Sequence, residues 1–198
     1  MSIRPESLFW KWFHEHENEL FHFENERDVI FRSLSDALER VHDGLTFEMG
    51  PIEEGLRELV ISADGIRDAF PAVVSLCEAA PELPRWRIIQ FRPRRSPIDT
   101  IHLKDLTLNP DDVWVTLQPD QHKAGITLYM KGYCDKLSSS YSQIGYLFLD
   151  EALGEYDVET RVGFVEFREA AAESEFEKKQ LKELPSIFDQ FVRYIENE

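Results

Sequence analysis

The sequence predicts an α+β fold, with a mainly antiparallel sheet covered by helices, an N-terminal helical hairpin and a C-terminal helix. Three observations carry this. Apolar residues recur at helical spacing at both ends of the chain. Alternating strand pairs joined by turn residues fill the middle. Helices separate groups of strands without the regular βα alternation that a doubly wound sheet needs. With 198 residues, 42% of them hydrophobic and 12% aromatic, the chain has enough apolar surface for a core without staples. It reads as a single domain over 1–198, with the helical hairpin at 1–43, sheet and helices at 44–168 and a helical extension at 169–198.

Each element has its own signal. Residues 6–23 place Phe9, Trp12, Phe13, Leu20 and Phe23 on one helical stripe, with His16 among them, and Asn25 breaks it. A second helix over 27–42 aligns Ile30, Leu34, Ala37, Leu38 and Val41; Asp43 and Gly44 end it, the glycine supplying a left-handed cap. Alternation predicts strands at 45–49 and 56–62, joined by a Gly/Pro turn. The next helix puts Ala69, Phe70, Val73, Leu76, Cys77 and Ala80 on its apolar stripe. Asp64 is its expected cap, and Pro81 and Pro84 stop it. A strand at 86–91, a Pro/Arg loop at 92–97 and a bent strand within 98–108 follow. Strands at 113–118 and 125–131 alternate cleanly: Val113, Val115, Leu117, Ile126, Leu128 and Met130 on one face, Trp114, Thr116, Thr127 and Tyr129 on the other. A helix over 138–153 buries Tyr141, Ile144, Phe148 and Ala152, and Gly154 caps it. A last strand spans 161–168. The charged stretch 170–183 reads as a loose helix or linker. Pro185 then sits in the first turn of a closing helix that buries Ile187, Phe188, Phe191, Val192 and Ile195.

The segment from Arg85 to Arg95 holds five arginines and no acid in eleven residues, inside a chain of formal charge −16. Arginine's fixed fork of donors suits carboxylate or phosphate. The candidate ligand-binding set is therefore Arg87, Arg92, Arg94 and Arg95, with Asp64 and Glu155 as neighbouring carboxylates. Glu155 is expected to pair with the arginine loop across a cleft. The competing reading is internal pairing with the 38 acidic residues of the chain. Trp10, Trp12, Trp86 and Trp114 are candidate contact aromatics wherever they are not core.

Several chemistries lack their signatures. His14-Glu15 is followed by Asn18 where a zinc-protease helix needs histidine, and His14 to His22 spans two turns, about 12 Å. No metal and no cofactor are expected. There is no Walker loop, GxGxxG or GxSxG elbow. Cys77 and Cys134 form no CxxC pair and read as free, buried thiols of a reduced compartment. No secretory leader and no apolar run near the length of a membrane span are read, so a cytoplasmic location is expected. The acidic balance argues against nucleic acid and anionic membranes as partners.

The blocks Leu59–Gly65 (LVISADG), Ala79–Pro81, Trp86, Phe91–Arg94 (FRPR), Leu149–Glu155 (LDEALGE) and Phe9–Phe13 (FWKWF) together resemble a family of uncharacterised bacterial cytoplasmic proteins. The resemblance runs over roughly residues 8–167. It implies no activity and assigns no functional residue. The leading expectation is a non-catalytic binding or interaction domain that meets a protein partner or a small anionic ligand through the arginine loop. One alternative is a hydrolase or transferase on an anionic substrate, with Arg92 or Arg94 as clamp and Asp64 or Glu155 as acid/base. The other is an acidic immunity-type or regulatory protein that masks a basic partner.

Overall fold

The computed structural model describes residues 4–195, and the fold is α+β, with helices at the N-terminal end and a closing C-terminal helix. The chain falls into two compact units, Met1–Arg92 and Pro93–Glu198, each with its own core.

The first unit opens with α1 (Pro5–Glu15), α2 (Glu17–Phe21) and α3 (Arg27–Glu39). The predicted first helix is broken at His16. Its backbone N–H bonds back to the Trp12 and Phe13 carbonyls, and its ring stacks on Trp12. Phe9, Trp10 and Phe13 are buried from α1, and the Trp10 indole donates to the Leu76 carbonyl at 2.8 Å. Strand β1 (Thr46–Glu53) runs through Gly50-Pro51 as an irregularity and pairs antiparallel with β2 (Leu56–Ser62). The tight turn falls at Glu54-Gly55, both at positive φ, 51° and 83°, the backbone that two-residue hairpins require. Helix α4 (Phe70–Glu78) then returns the chain so that β3 (Trp86–Gln90) lies parallel to β2.

Two expectations are corrected here. Gly44 does not supply a left-handed cap, because α3 already ends at Glu39. Glycine is needed there for space, since a Cβ would meet the Ala69 Cβ at 2.9 Å. Asp64 does not cap α4 either; it forms a turn with Gly65, both at positive φ (51° and 79°), and its backbone N–H donates to Ser62 Oγ.

The second unit begins with a small hairpin, β4 (Ile101–Leu103) and β5 (Leu106–Leu108), where a single bent strand is expected. The main sheet has the order β8-β7-β6-β9. Strands β6 (Val113–Asp120) and β7 (Lys123–Met130) form an antiparallel hairpin. Helix α5 (Ser138–Leu153) ends at Gly154, whose φ of 78° makes it the expected C-cap, and α6 (Glu155–Arg161) follows directly. The chain then returns as β8 (Val162–Glu169), parallel to β7. Residues 170–183 contain no α-helix; they turn and donate the short strand β9 (Lys179–Gln180) to β6. Helix α7 (Leu184–Ile195) closes the core.

Both units thus repeat one topology: a hairpin, a helical crossover, and a third strand parallel to the second. The antiparallel ladders come from the hairpins and β9. The two parallel ladders exist because a helix stands between the strands they join.

Gly145 in α5 is a packing glycine. A Cβ there would stand 2.2 Å from the Phe167 ring. Gly145→Ala should gain helix propensity yet lose about 1–3 kcal/mol through overpacking. Urea unfolding of the variant checks the sign; a stabilised protein would show that the Phe167 ring moves aside freely.

Candidate functional site

The arginine segment is divided between the units, and its guanidinium groups meet carboxylates of the chain itself. Arg85 pairs with Glu17, whose Oε1 also accepts from the Trp86 indole at 2.8 Å. Burial pushes the Glu17 carboxyl up, but the hydrogen bonds from Arg85 and Trp86 outweigh it and hold it below the usual range. Exposed Arg87 donates to Glu58 across the β2–β3 ladder at 2.8 Å. Arg92 donates to Glu48 at 2.7 Å and to Asp64 at 2.8 Å, so the two candidate residues Arg92 and Asp64 do meet.

In the second unit Arg94 is a three-way clasp. Its Nε donates to the Leu153 carbonyl at 2.9 Å, the end of α5, where a cation also suits the helix dipole. Its two Nη groups reach Asp157 on α6 at 2.6 Å and both carboxylate oxygens of Asp189 on α7. The hydrogen bonds raise the Arg94 guanidinium above its usual value and hold Asp189 below its own. Arg95 donates its backbone N–H to the Glu151 carbonyl at 2.7 Å, and Asp99 donates its N–H to the Glu151 carboxylate. The loop is therefore tied along the C-terminal half of α5. Glu155 is buried at the start of α6, and Asp157, two residues on, meets Arg94. An external anion would have to displace these internal carboxylates from Arg87, Arg92 and Arg94.

Other candidates settle differently. Trp10 and Trp86 are buried and belong to the core. No group of three or more His, Cys, Asp or Glu among the described residues could hold a metal ion. Cys134 is exposed rather than buried, whereas burial pushes the Cys77 thiol up to about 12. Because the thiolate is the reactive form, a disulfide reagent at pH 8 should titrate one thiol per native chain and two after denaturation. Two fast thiols in the native protein would contradict this placement.

A groove lies on the outer face of the second unit's sheet. The strand register sets the rows. Thr116, Thr127 and Glu166 stand side by side across β6, β7 and β8; Trp114, Tyr129 and Arg168 form the next row. The opposite face of these strands buries Val113, Val115, Ile126, Leu128 and Met130 in the core. The loop 173–176 stands over the outer face and leaves a groove of about 460 Å³, within the ~300–1,000 Å³ of small-molecule sites. Thr116, Thr127 and Tyr129 form its buried floor, and Glu166, Arg168, Glu173 and Glu175 its polar walls. Arg168 donates to Glu166 at 2.8 Å. Beside the floor, the Lys178 ammonium rests 4.0 Å from the Tyr129 ring centroid and donates to the Ala170 carbonyl at 2.8 Å and to that of Ala172.

Sequence alone does not disclose this groove. Alternation places Thr116, Thr127 and Tyr129 on the non-core face, but only the parallel register of β8 and the path of residues 170–178 turn that face into a concavity. Compared with known proteins, the chain matches no family model, and no curated protein or solved structure is significantly similar to it.

Proposed function

We propose that this protein is a non-catalytic binding domain, and that its ligand is a small polar molecule held in the outer-face groove of the second unit. One observation carries the reading: a concave site of ligand size whose buried floor is formed by Thr116, Thr127 and Tyr129, on a sheet rather than on loops alone. The groove lining contains neither histidine nor cysteine, which favours binding over imidazole or thiolate chemistry. The arginine segment fits this function as framework. Its side chains hold strands and helices together through internal carboxylates, which disfavours it as the contact for an anionic ligand. No helix among the described residues is long and apolar enough to cross a membrane. With the net charge of −16, this supports a cytoplasmic role without nucleic acid.

The test is thermal melting against a panel of sugars, nucleotides, carboxylates and amines, repeated with Thr127→Tyr, which fills the groove. A ligand at a hundred times its dissociation constant should raise the melting temperature by roughly 5–10 °C. The shift should vanish in Thr127→Tyr. A ligand that stabilises both proteins equally would place the site elsewhere.

A further inference from the structure

We infer that β8 is the seam at which a second copy of this chain joins the sheet, edge to edge and antiparallel. The strand stands at the end of the order β8-β7-β6-β9, and among the described residues no strand pairs with its outer side. Its ladder fixes which groups face outward. Ala170 donates its N–H to the Met130 carbonyl of β7 at 3.2 Å. Bonded residues alternate along a parallel ladder, so Phe164, Glu166 and Arg168 bond to β7, while Val165, Phe167 and Glu169 turn their amides to the open side. The other edges are blunted. The β1 ladder shifts register across Gly50-Pro51, β6 carries Pro119 beyond β9, β9 has two residues and β3 five. Strand β8 runs for eight residues without proline or lysine.

The side chains select the occupant and the register. About a twofold axis through Phe167, that residue meets its own copy and exchanges two backbone hydrogen bonds with it. Glu166 then stands opposite Arg168 of the second copy, and Arg168 opposite Glu166. These pairs fall at non-hydrogen-bonded positions, where opposed Cα atoms are only about 4.5 Å apart and opposite charges favour pairing. Within one chain Arg168 already reaches Glu166 at 2.8 Å, and both side chains remain half-exposed, so the seam closes a network of alternating charges. An axis at Glu166 would oppose like charges, and one at Val165 would set Glu166 against Phe164. Phe167 is half-buried, and the exposed Tyr146 ring packs against it with centroids 5.5 Å apart. Two such ring pairs meet on the inner side of the seam and leave water together. The outer faces of both sheets, each with its groove, come to lie on one side of the joined sheet.

The test is sedimentation of the full chain over a concentration series at about 0.15 M salt, where a Debye length of about 8 Å screens the repulsion between two chains of charge −16. The wild type should form a dimer. Glu166→Arg and Arg168→Glu each set like charges across the seam and should each weaken the dimer at least about tenfold. Mixed together, these two variants should associate with each other, because each presents the charge the other needs. The double variant Glu166→Arg/Arg168→Glu should dimerise as well. Hydrogen exchange gives a check without substitution. The Phe167 amide should exchange more slowly as the wild-type concentration rises, and that of Arg168, already bonded to β7, should change less. A wild type that stays monomeric up to about 1 mM overturns the inference. So does a dimer that survives both single variants, or a mixture of the folded variants that fails to associate. If a synthetic β8 peptide slows Phe167 exchange while the whole chain stays monomeric, the occupant is a foreign strand and the second copy is overturned. None of these readouts depends on a ligand in the groove.

Discussion

Arg57→Ala is expected to destabilise the protein by about 3–5 kcal/mol, the cost typical of breaking a buried charged site or opening a large cavity. The Arg57 side chain is 0% exposed. Its guanidinium lies 4.4 Å from the Phe23 ring centroid and 5.6 Å from that of Phe21, donates to the Gly50 carbonyl at 2.9 Å, and reaches Glu24 at 2.6 Å. Arginine cannot relieve burial by losing its proton, so everything around it must satisfy a permanent charge. That satisfaction is incomplete, because Nε has no hydrogen-bond partner. The expected order of variants follows. Arg57→Met fills the space between the rings and removes both the buried charge and the orphan donor, so it should retain well over half of what alanine loses. Arg57→Lys should do worse than methionine, since it keeps a charge but loses the fork and the stacking. Chemical denaturation of the three variants measures the order. If methionine costs as much as alanine, the charge itself, not the filling, stabilises the first unit. Glu24 adds a pH signature: the hydrogen bond from Arg57 holds its carboxyl below the usual range. Stability linked to it is present above the ordinary carboxylate value and lost as the pH falls through the lower folded value.

Arg94→Ala should cost the second unit roughly 2–3 kcal/mol at neutral pH. Charged hydrogen bonds contribute about 1.5–3 kcal/mol each when enclosed, but Arg94 and Asp189 are 31% and 39% exposed, and solvent screening discounts them. Lysine should rescue little, because a single ammonium cannot reproduce the fork on Asp189 together with the bonds to Asp157 and the Leu153 carbonyl. The pH dependence has a definite sign. Asp189 is held low by the hydrogen bond from Arg94 against the opposing effect of burial. A depressed carboxyl stabilises the fold above its unfolded value of about 3.9 and ceases to do so as acid protonates it in the folded state. The gap between wild type and Arg94→Ala should therefore be widest near neutrality and narrow below about pH 4. Melting curves from pH 2.5 to 7 follow it; a gap that widens with acid would exclude the clasp as its source.

What the sequence discloses, and what it hides, divides along physical lines. Local periodicity makes α5, α7 and the β6–β7 hairpin legible, because their apolar faces repeat every 3.6 or 2 residues. The parallel β7–β8 ladder is not legible, since a helical crossover leaves no register signal in spacing. The clasp is hidden for the same reason: Asp157 and Asp189 lie 63 and 95 residues from Arg94. A cluster of arginines announces a need for acceptors, but their composition cannot say whether those acceptors are a ligand's or the chain's own. The groove is harder still. Its floor residues look like ordinary solvent-facing positions of a strand pair until residues 170–178, which carry no periodicity, are seen standing over them.

The boundary at Arg92–Pro93 also has a meaning in time. Every strand of the first sheet and every residue of its core precedes Pro93. At translation rates of about 5–20 residues per second, the remainder of the chain takes roughly 5–20 s to synthesise. The first unit can complete its ladders while the second is still being made. A truncated product that ends after the arginine segment is thus expected to be ordered. One that ends before β3 leaves an edge of β2 open to other nascent chains, an invitation to aggregate on the ribosome.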